Sequence, residues 1–121
     1  MENCKKGRLR TVKFLVEFLG VDCSFKNNLA IRKASKYGKI DVVKYLCSLD
    51  KSRGINPAAR NNHAIRYASI NGHLDVIKFL CSLDKSWGVD PAAHDNFAIR
   101  WASAYYHIDV VKYLKSIGCS L

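Results

Sequence analysis

Apolar residues recur along this chain at the three- and four-residue spacing of helix faces, in short bursts broken by glycine and asparagine. Ala64, Ile65, Ala68 and Ser69 mark one such face, Asn71-Gly72 interrupts it, and Leu74, Val76, Ile77, Phe79, Leu80 and Leu83 resume it. The pattern predicts two short helices joined by a tight turn. The same pair of bursts fills Asn28 to Asn61, Asn62 to Asp95 and Asn96 to the end, with starts 34 residues apart. A fixed period of this length predicts an all-α solenoid of stacked antiparallel helix pairs, because one pair cannot bury its apolar stripe alone.

The organisation that follows is a single domain over 1–121, with a leading half repeat at 1–27, repeats at 28–61 and 62–95, and a capping repeat at 96–121. The leading segment GRLRTVKFLVEFLGVD, from Gly7, matches GKIDVVKYLCSLDKSRGIN from Gly38 with three residues fewer, so it supplies a second helix without a first. Lys115 stands where the interior copies have Cys47 and Cys81, which suggests a last face turned to water. Thr11 replaces Val42, Val76 and Val110, and Phe14, Leu15 and Phe18 have no partner helix ahead of them. A frayed apolar edge, or a chain cut from a longer array, is expected there.

Local signals agree with the period. Asn28, Asn62 and Asn96 suit helix N-caps, whose side-chain oxygen takes an unpaired backbone N–H. Gly38 and Gly72 suit a left-handed reversal after the first helix. Asp41, Asp75 and Asp109 fall in the first turn of the second helix, where the macrodipole favours a carboxylate. Gly54-Ile55-Asn56-Pro57 and Gly88-Val89-Asp90-Pro91 end that helix.

The stretch GHLDVIKFL at Gly72 to Leu80, with its relatives at Gly38 and His107, resembles the second helix of the ankyrin repeat, and GVDPAA resembles the segment entering the ankyrin hairpin. The resemblance covers residues 7 to 121. It departs from the family pattern in three places. Leu29-Ala-Ile-Arg32, His63-Ala-Ile-Arg66 and Phe97-Ala-Ile-Arg100 replace the Thr-Pro-Leu-His segment; the link between pairs gains Asp-Lys-Ser and a shorter hairpin-like loop; and Tyr106 replaces a turn glycine, straining a position that prefers positive φ. These variations resemble the diverged ankyrin arrays of amoeba-infecting giant viruses.

Composition narrows the function classes. With 121 residues, 49% apolar and 25% charged, the chain reads as an ordinary globular domain. No apolar run approaches the roughly 18 residues of a membrane span, and the start MENCKKGRLR has no apolar segment behind its basic residues, so an intracellular, cytoplasmic protein is expected, in a host cell if viral. Five cysteines, odd in number and without CxxC pairs, read as reduced core fillers. Net charge is +10 and lopsided: residues 1–60 hold 14 Lys or Arg against 5 Asp or Glu, residues 61–121 hold 6 against 5. Such a half is either a solvated face or a footprint for a polyanion.

No phosphate loop, dinucleotide fingerprint or nucleophile elbow is present, and His63, His73, His94 and His107 lack ligand spacing to Cys81 or Cys119. No catalytic residue, cofactor or metal is expected. The resemblance implies that His73 and His107 make local hydrogen bonds, and that a protein partner docks on the concave face and the loop tips. Mapped onto this chain, that face includes Lys33, Lys36, Tyr37, Tyr67, Ile70, Asn71, Trp101, Ala104 and Tyr105, with Arg60 and His94 at the tips. Tyr67 and Trp101 could instead pad the seam between copies, and Trp87 is equally ambiguous. Arg32, Arg66 and Arg100 form a ladder whose default partners are nearby Asp residues, the alternative being an acidic peptide in the groove.

Three functions therefore compete: a monomeric, non-enzymatic module binding an unidentified protein, an acidic one being an option; a binder of nucleic acid or anionic membrane through Lys5, Lys6, Arg8, Arg10, Lys13, Arg32, Lys33, Lys36 and Lys39; and a terminal fragment of a longer array. The first is the leading expectation.

Overall fold

The computed structural model describes residues 9–10, 12–13, 22–49 and 51–121. Phe14, Leu15, Phe18 and Thr11, and with them the expected apolar front edge, lie outside the described residues. Leu9, Arg10, Val12 and Lys13 are helical, and from Phe25 onward the chain forms six α-helices: α1 (Phe25–Lys36), α2 (Ile40–Ser48), α3 (Ala59–Ile70), α4 (Leu74–Ser82), α5 (Ala93–Ala104) and α6 (Ile108–Ser116). Short 3-10 turns at Lys51–Arg53 and Lys85–Trp87 lead into the links between pairs, and no strand occurs among the described residues. The odd helices pack side by side, the even helices form a second layer, and each odd helix rests on the even helix that follows it.

The packing follows from residue size. Ala34, Ala64, Ala68, Ala98 and Ala102 are buried along the odd helices, and so small a side chain lets these helices approach closely. Ile31, Ile65 and Ile99 are buried from the odd layer and Val42, Leu46, Val76, Leu80, Val110 and Leu114 from the even layer, closing one continuous core. Each such side chain contributes about 1.5–3 kcal/mol of transfer free energy. On the even layer a lysine of one copy lies over a ring of the next: Lys44 is 5.9 Å from the Phe79 centroid and Lys78 is 5.6 Å from that of Tyr113.

The turns inside each pair show why glycine is needed. Gly38 and Gly72 have φ of 73° and 75°, and a β-carbon on either would stand 2.5 Å from the following histidine ring, His73 or His107. The His107 Nε2 also lies 2.8 Å from the Ile70 carbonyl oxygen. This histidine therefore ties one copy to the preceding one, where the resemblance implied local hydrogen bonding. Tyr106 occupies the third glycine position at φ 63° and is 83% exposed, so the expected strain is present.

The expected asparagine caps are overturned. Each odd helix opens with three consecutive left-handed residues: Lys26–Asn28 at φ 52°, 56° and 65°, Arg60–Asn62 at 56°, 53° and 62°, and His94–Asn96 at 59°, 56° and 57°. Left-handed backbone costs about 1–2 kcal/mol per residue for ordinary side chains, less for Asn and Asp, and Asn or Asp fills the second and third place every time. The side chain of Asn28 turns away from its own helix: its Nδ2 donates to the Gly54 carbonyl at 3.2 Å and its Oδ1 accepts from the Asn56 amide at 2.8 Å. Asn62 accepts likewise from the Asp90 amide at 2.8 Å. These asparagines fasten the link that leads into the next copy.

The arginine ladder is also corrected. Arg32 donates through Nε to the Asn27 carbonyl at 3.0 Å and through Nη2 to the Lys26 carbonyl at 2.8 Å. Arg66 repeats this on Asn61 at 2.9 Å and Arg60 at 3.1 Å, and Arg100 donates through Nε to the Asp95 carbonyl at 2.8 Å. A left-handed turn points its carbonyls away from the right-handed helix that follows, and the guanidinium fork supplies the donors that helix cannot. Among the described residues these bonds go to main-chain carbonyls, where aspartate side chains were expected.

Candidate protein-binding face

Side chains four apart on a helix share a face, and one such row is 29, 33, 37 along α1 and its C-cap, 63, 67, 71 along α3 and its C-cap, and 97, 101, 105 along α5 and its C-cap. Aromatic residues dominate its second half. His63 stacks on Tyr67 with centroids 4.1 Å apart. Tyr67 meets Phe97 across the helix gap at 5.9 Å, and Phe97–Trp101 and Trp101–Tyr105 continue at 5.9 Å each. His94, from the left-handed turn, meets the Phe97 ring edge-on at 5.6 Å. The rings brace one another, so Trp101 and Tyr105 present 38% and 54% of their surface at little conformational cost.

Cations flank the row. The Arg66 guanidinium sits 4.8 Å from the Phe97 centroid, and the Lys36 ammonium is 5.6 Å from the rings of both Tyr37 and Tyr67. His63 registers their field. Burial first, and then Arg32, Arg66, Lys36 and Lys33, push its pKa down from 6.5 to about 4. Its Nδ1 is buried with no hydrogen-bond partner. The imidazole is therefore neutral at physiological pH, on a surface poor in carboxylates.

The structure brings most of the expected site residues onto this side of the molecule. Lys33, Lys36, Tyr37, Tyr67 and Ile70 are half-buried, while Asn71, Trp101, Ala104, Tyr105, Arg60 and His94 are exposed. Several also hold the array together. The Asn71 Nδ2 donates to the Lys36 carbonyl at 2.8 Å, the Ile70 carbonyl meets His107, the Arg60 carbonyl receives Arg66, and the His94 Nδ1 lies 3.2 Å from the Asn61 Nδ2. Trp87 lies elsewhere, half-buried against the core and lining a small recess with Ile55, Asn56, Ala58, Ser86 and Gly88. His63 and Phe97 were missed. They were read as part of a replaced family motif, whereas the i, i+4 series 63–67–71 and 97–101–105 would have found both.

Cys47 and Cys81 are half-buried free thiols; burial pushes them up to about 12 and about 11, so both are protonated and inert at neutral pH. Among the described residues no group of three or more His, Cys, Asp or Glu could hold a metal ion. No helix among them is long and apolar enough to cross a membrane.

Paired helices in register, glycine turns closed by a histidine from the next copy, and a surface row free to vary define a helical repeat array. The family model for ankyrin repeats in three copies matches residues 1–95, and the chain belongs to the ankyrin repeat family. Proteins of this family are in general interaction modules without enzymatic activity. Among solved structures, a chain of the crystal structure of the yeast ribosomal protein Rps3 in complex with its chaperone Yar1 is similar. It shows 24% identity and a TM-score of 0.74, with 98% of this chain and 91% of that chain covered, a likeness of fold. No curated protein matches the sequence.

Proposed function

We propose that the chain is a non-enzymatic module that binds a protein partner through the exposed row on its odd helices and the adjoining left-handed turns. The observation that carries this reading is the unbroken run of mutually braced rings from His63 through Tyr67, Phe97 and Trp101 to Tyr105. Tyr, Trp and Arg anchors in such a setting supply most of the binding energy of protein interfaces. Lys33, Lys36, Tyr37, Ile70, Asn71, Ala104, Arg60 and His94 complete the surface. The units on which it is displayed run 28–61, 62–95 and 96–121 behind a leading half repeat. The setting is inside a cell, and the motif variation resembles that of the ankyrin arrays of giant viruses.

The test is quantitative affinity capture comparing the native chain with Trp101→Ala and Tyr105→Ala, checked by circular dichroism for an unchanged helix signal. Exposed residues at these positions leave the fold intact, so a genuine partner is lost while helicity stays. Capture of the same proteins by both would overturn the assignment.

A further inference from the structure

The row is not uniform along the stack, and its asymmetry specifies a ligand. α1 carries Lys26, Arg32, Lys33 and Lys36, α3 carries Arg60 and Arg66, and neither helix has a single Asp or Glu. α5 carries one acid and one base, Asp95 and Arg100, the latter bonded to the Asp95 carbonyl, and with its C-cap it presents the exposed rings of Trp101 and Tyr105. The face thus has a cationic end over α1 and α3 and an aromatic end over α5. Arg32 and Arg66 are committed to backbone carbonyls, which leaves Lys33 and Lys36, with the exposed Lys26 and Arg60 at the turns, to meet a ligand. His63, midway between the ends, is held below its ordinary pKa by burial first and then by Arg32, Arg66, Lys36 and Lys33, so these cations reach the centre of the row.

We infer that this face reads a short peptide running across the odd helices, with its acidic residues over Lys33, Lys36 and Arg60 and its apolar or aromatic residues over Phe97, Trp101 and Tyr105. The inference rests on the reading of the row as a protein-binding surface and names what that surface selects. Helices pack 8–10 Å apart, so crossing three of them spans roughly 20 Å, about six or seven extended residues. The carboxylates meet a surface with no competing acid, and the apolar end covers rings that water now wets.

A single-stranded nucleic acid is the disfavoured occupant. Base stacking needs free ring faces along a continuous cationic track, whereas Tyr67 gives its faces to His63 and Lys36 and Phe97 lies under Arg66. α5 also adds no net charge to the track, since Asp95 offsets Arg100.

The experiment is selection of a random dodecapeptide display library on the full chain, in parallel with a Lys33→Gln/Lys36→Gln variant and with Trp101→Ala. Native selection should enrich peptides with Asp or Glu on one side of Leu, Phe, Tyr or Trp. Replacing the acids of the best synthetic peptide by amides should weaken it roughly tenfold or more. The lysine variant should bind acid and amide forms alike. Enrichment without acidic residues, lost on Trp101→Ala, would overturn the acidic preference while leaving the face in place. Acidic peptides indifferent to Trp101→Ala would overturn the face itself. Tighter binding of an unstructured oligonucleotide than of any selected peptide would overturn the peptide assignment.

Discussion

The imidazole of His107 occupies the space that a β-carbon on Gly72 would need, its Nδ1 lying 2.5 Å from that point. The glycine is therefore demanded twice, by a φ of 75° and by the ring of the next copy. Gly72→Ala should destabilise the chain by about 2–4 kcal/mol, from left-handed strain and overpacking together. Urea titration measures this, and a loss below about half that range would mean that the ring moves aside freely.

Tyr106 holds the equivalent position at φ 63°, and its side chain is 83% exposed. Tyr106→Gly should relieve about 1 kcal/mol of strain, set against the extra entropy glycine carries in the unfolded chain. The same residue type that Gly72 cannot give up is thus a neutral to stabilising introduction here. A clear loss of stability in the melting curve would show that the tyrosine ring holds its own turn.

How much of this was legible beforehand varies with the range of the interaction. Helix pairs, Gly38 and Gly72 came through because periodicity and turn chemistry are local properties of the chain. Asn28 and Asn62 did not, because asparagine suits both an N-cap and a left-handed residue, and only the link 26 to 28 positions downstream decides between them. Arg32 and Arg66 failed for a related reason. Their acceptors are main-chain carbonyls, freed by a backbone reversal that no side-chain pattern announces. On the candidate face Tyr67 and Trp101 stood out as variable aromatic positions, while Phe97 and His63 were hidden by attention to the family motif they replace.

The arginine ladder makes a graded prediction. Arg66 is 9% exposed and gives two bonds to its turn, whereas Arg100 is exposed and gives one. Charged hydrogen bonds contribute about 1.5–3 kcal/mol when buried and well under 1 kcal/mol at the surface. Arg66→Lys keeps the charge and loses the fork, so it should cost about 2–3 kcal/mol, against less than about 1 kcal/mol for Arg100→Lys. Equal losses in chemical denaturation would mean that charge, not carbonyl satisfaction, is what these residues provide.

His63 predicts an acid sensitivity of defined sign. Its ordinary pKa of 6.5 falls to about 4 in the folded chain, so acidification protonates the unfolded imidazole first. Stability from this group is complete above pH 6.5, declines as pH falls towards 4, and changes no further below it. The denaturation midpoint should therefore drop between pH 7 and pH 5, and His63→Phe, which keeps the stack on Tyr67, should flatten that slope. An unchanged slope in the variant would place the sensitivity in other groups.

Asn62 and Asn96 share a left-handed backbone, at φ 62° and 57°, but not a partner. The Asn62 Oδ1 accepts the Asp90 amide at 2.8 Å, while the Asn96 Oδ1 is buried with no hydrogen bond. Glycine suits both backbones, so replacing each by Gly isolates the side chain. Asn62→Gly frees the Asp90 amide and unfastens the link between α4 and α5, an expected loss of about 1–3 kcal/mol. Asn96→Gly removes a buried acceptor that nothing satisfies, and that gain offsets the entropy of the glycine, leaving stability within about 0.5 kcal/mol of the parent. The paired urea titrations decide the matter, because identical losses would show that these asparagines act through backbone preference and that the bonds between copies add nothing.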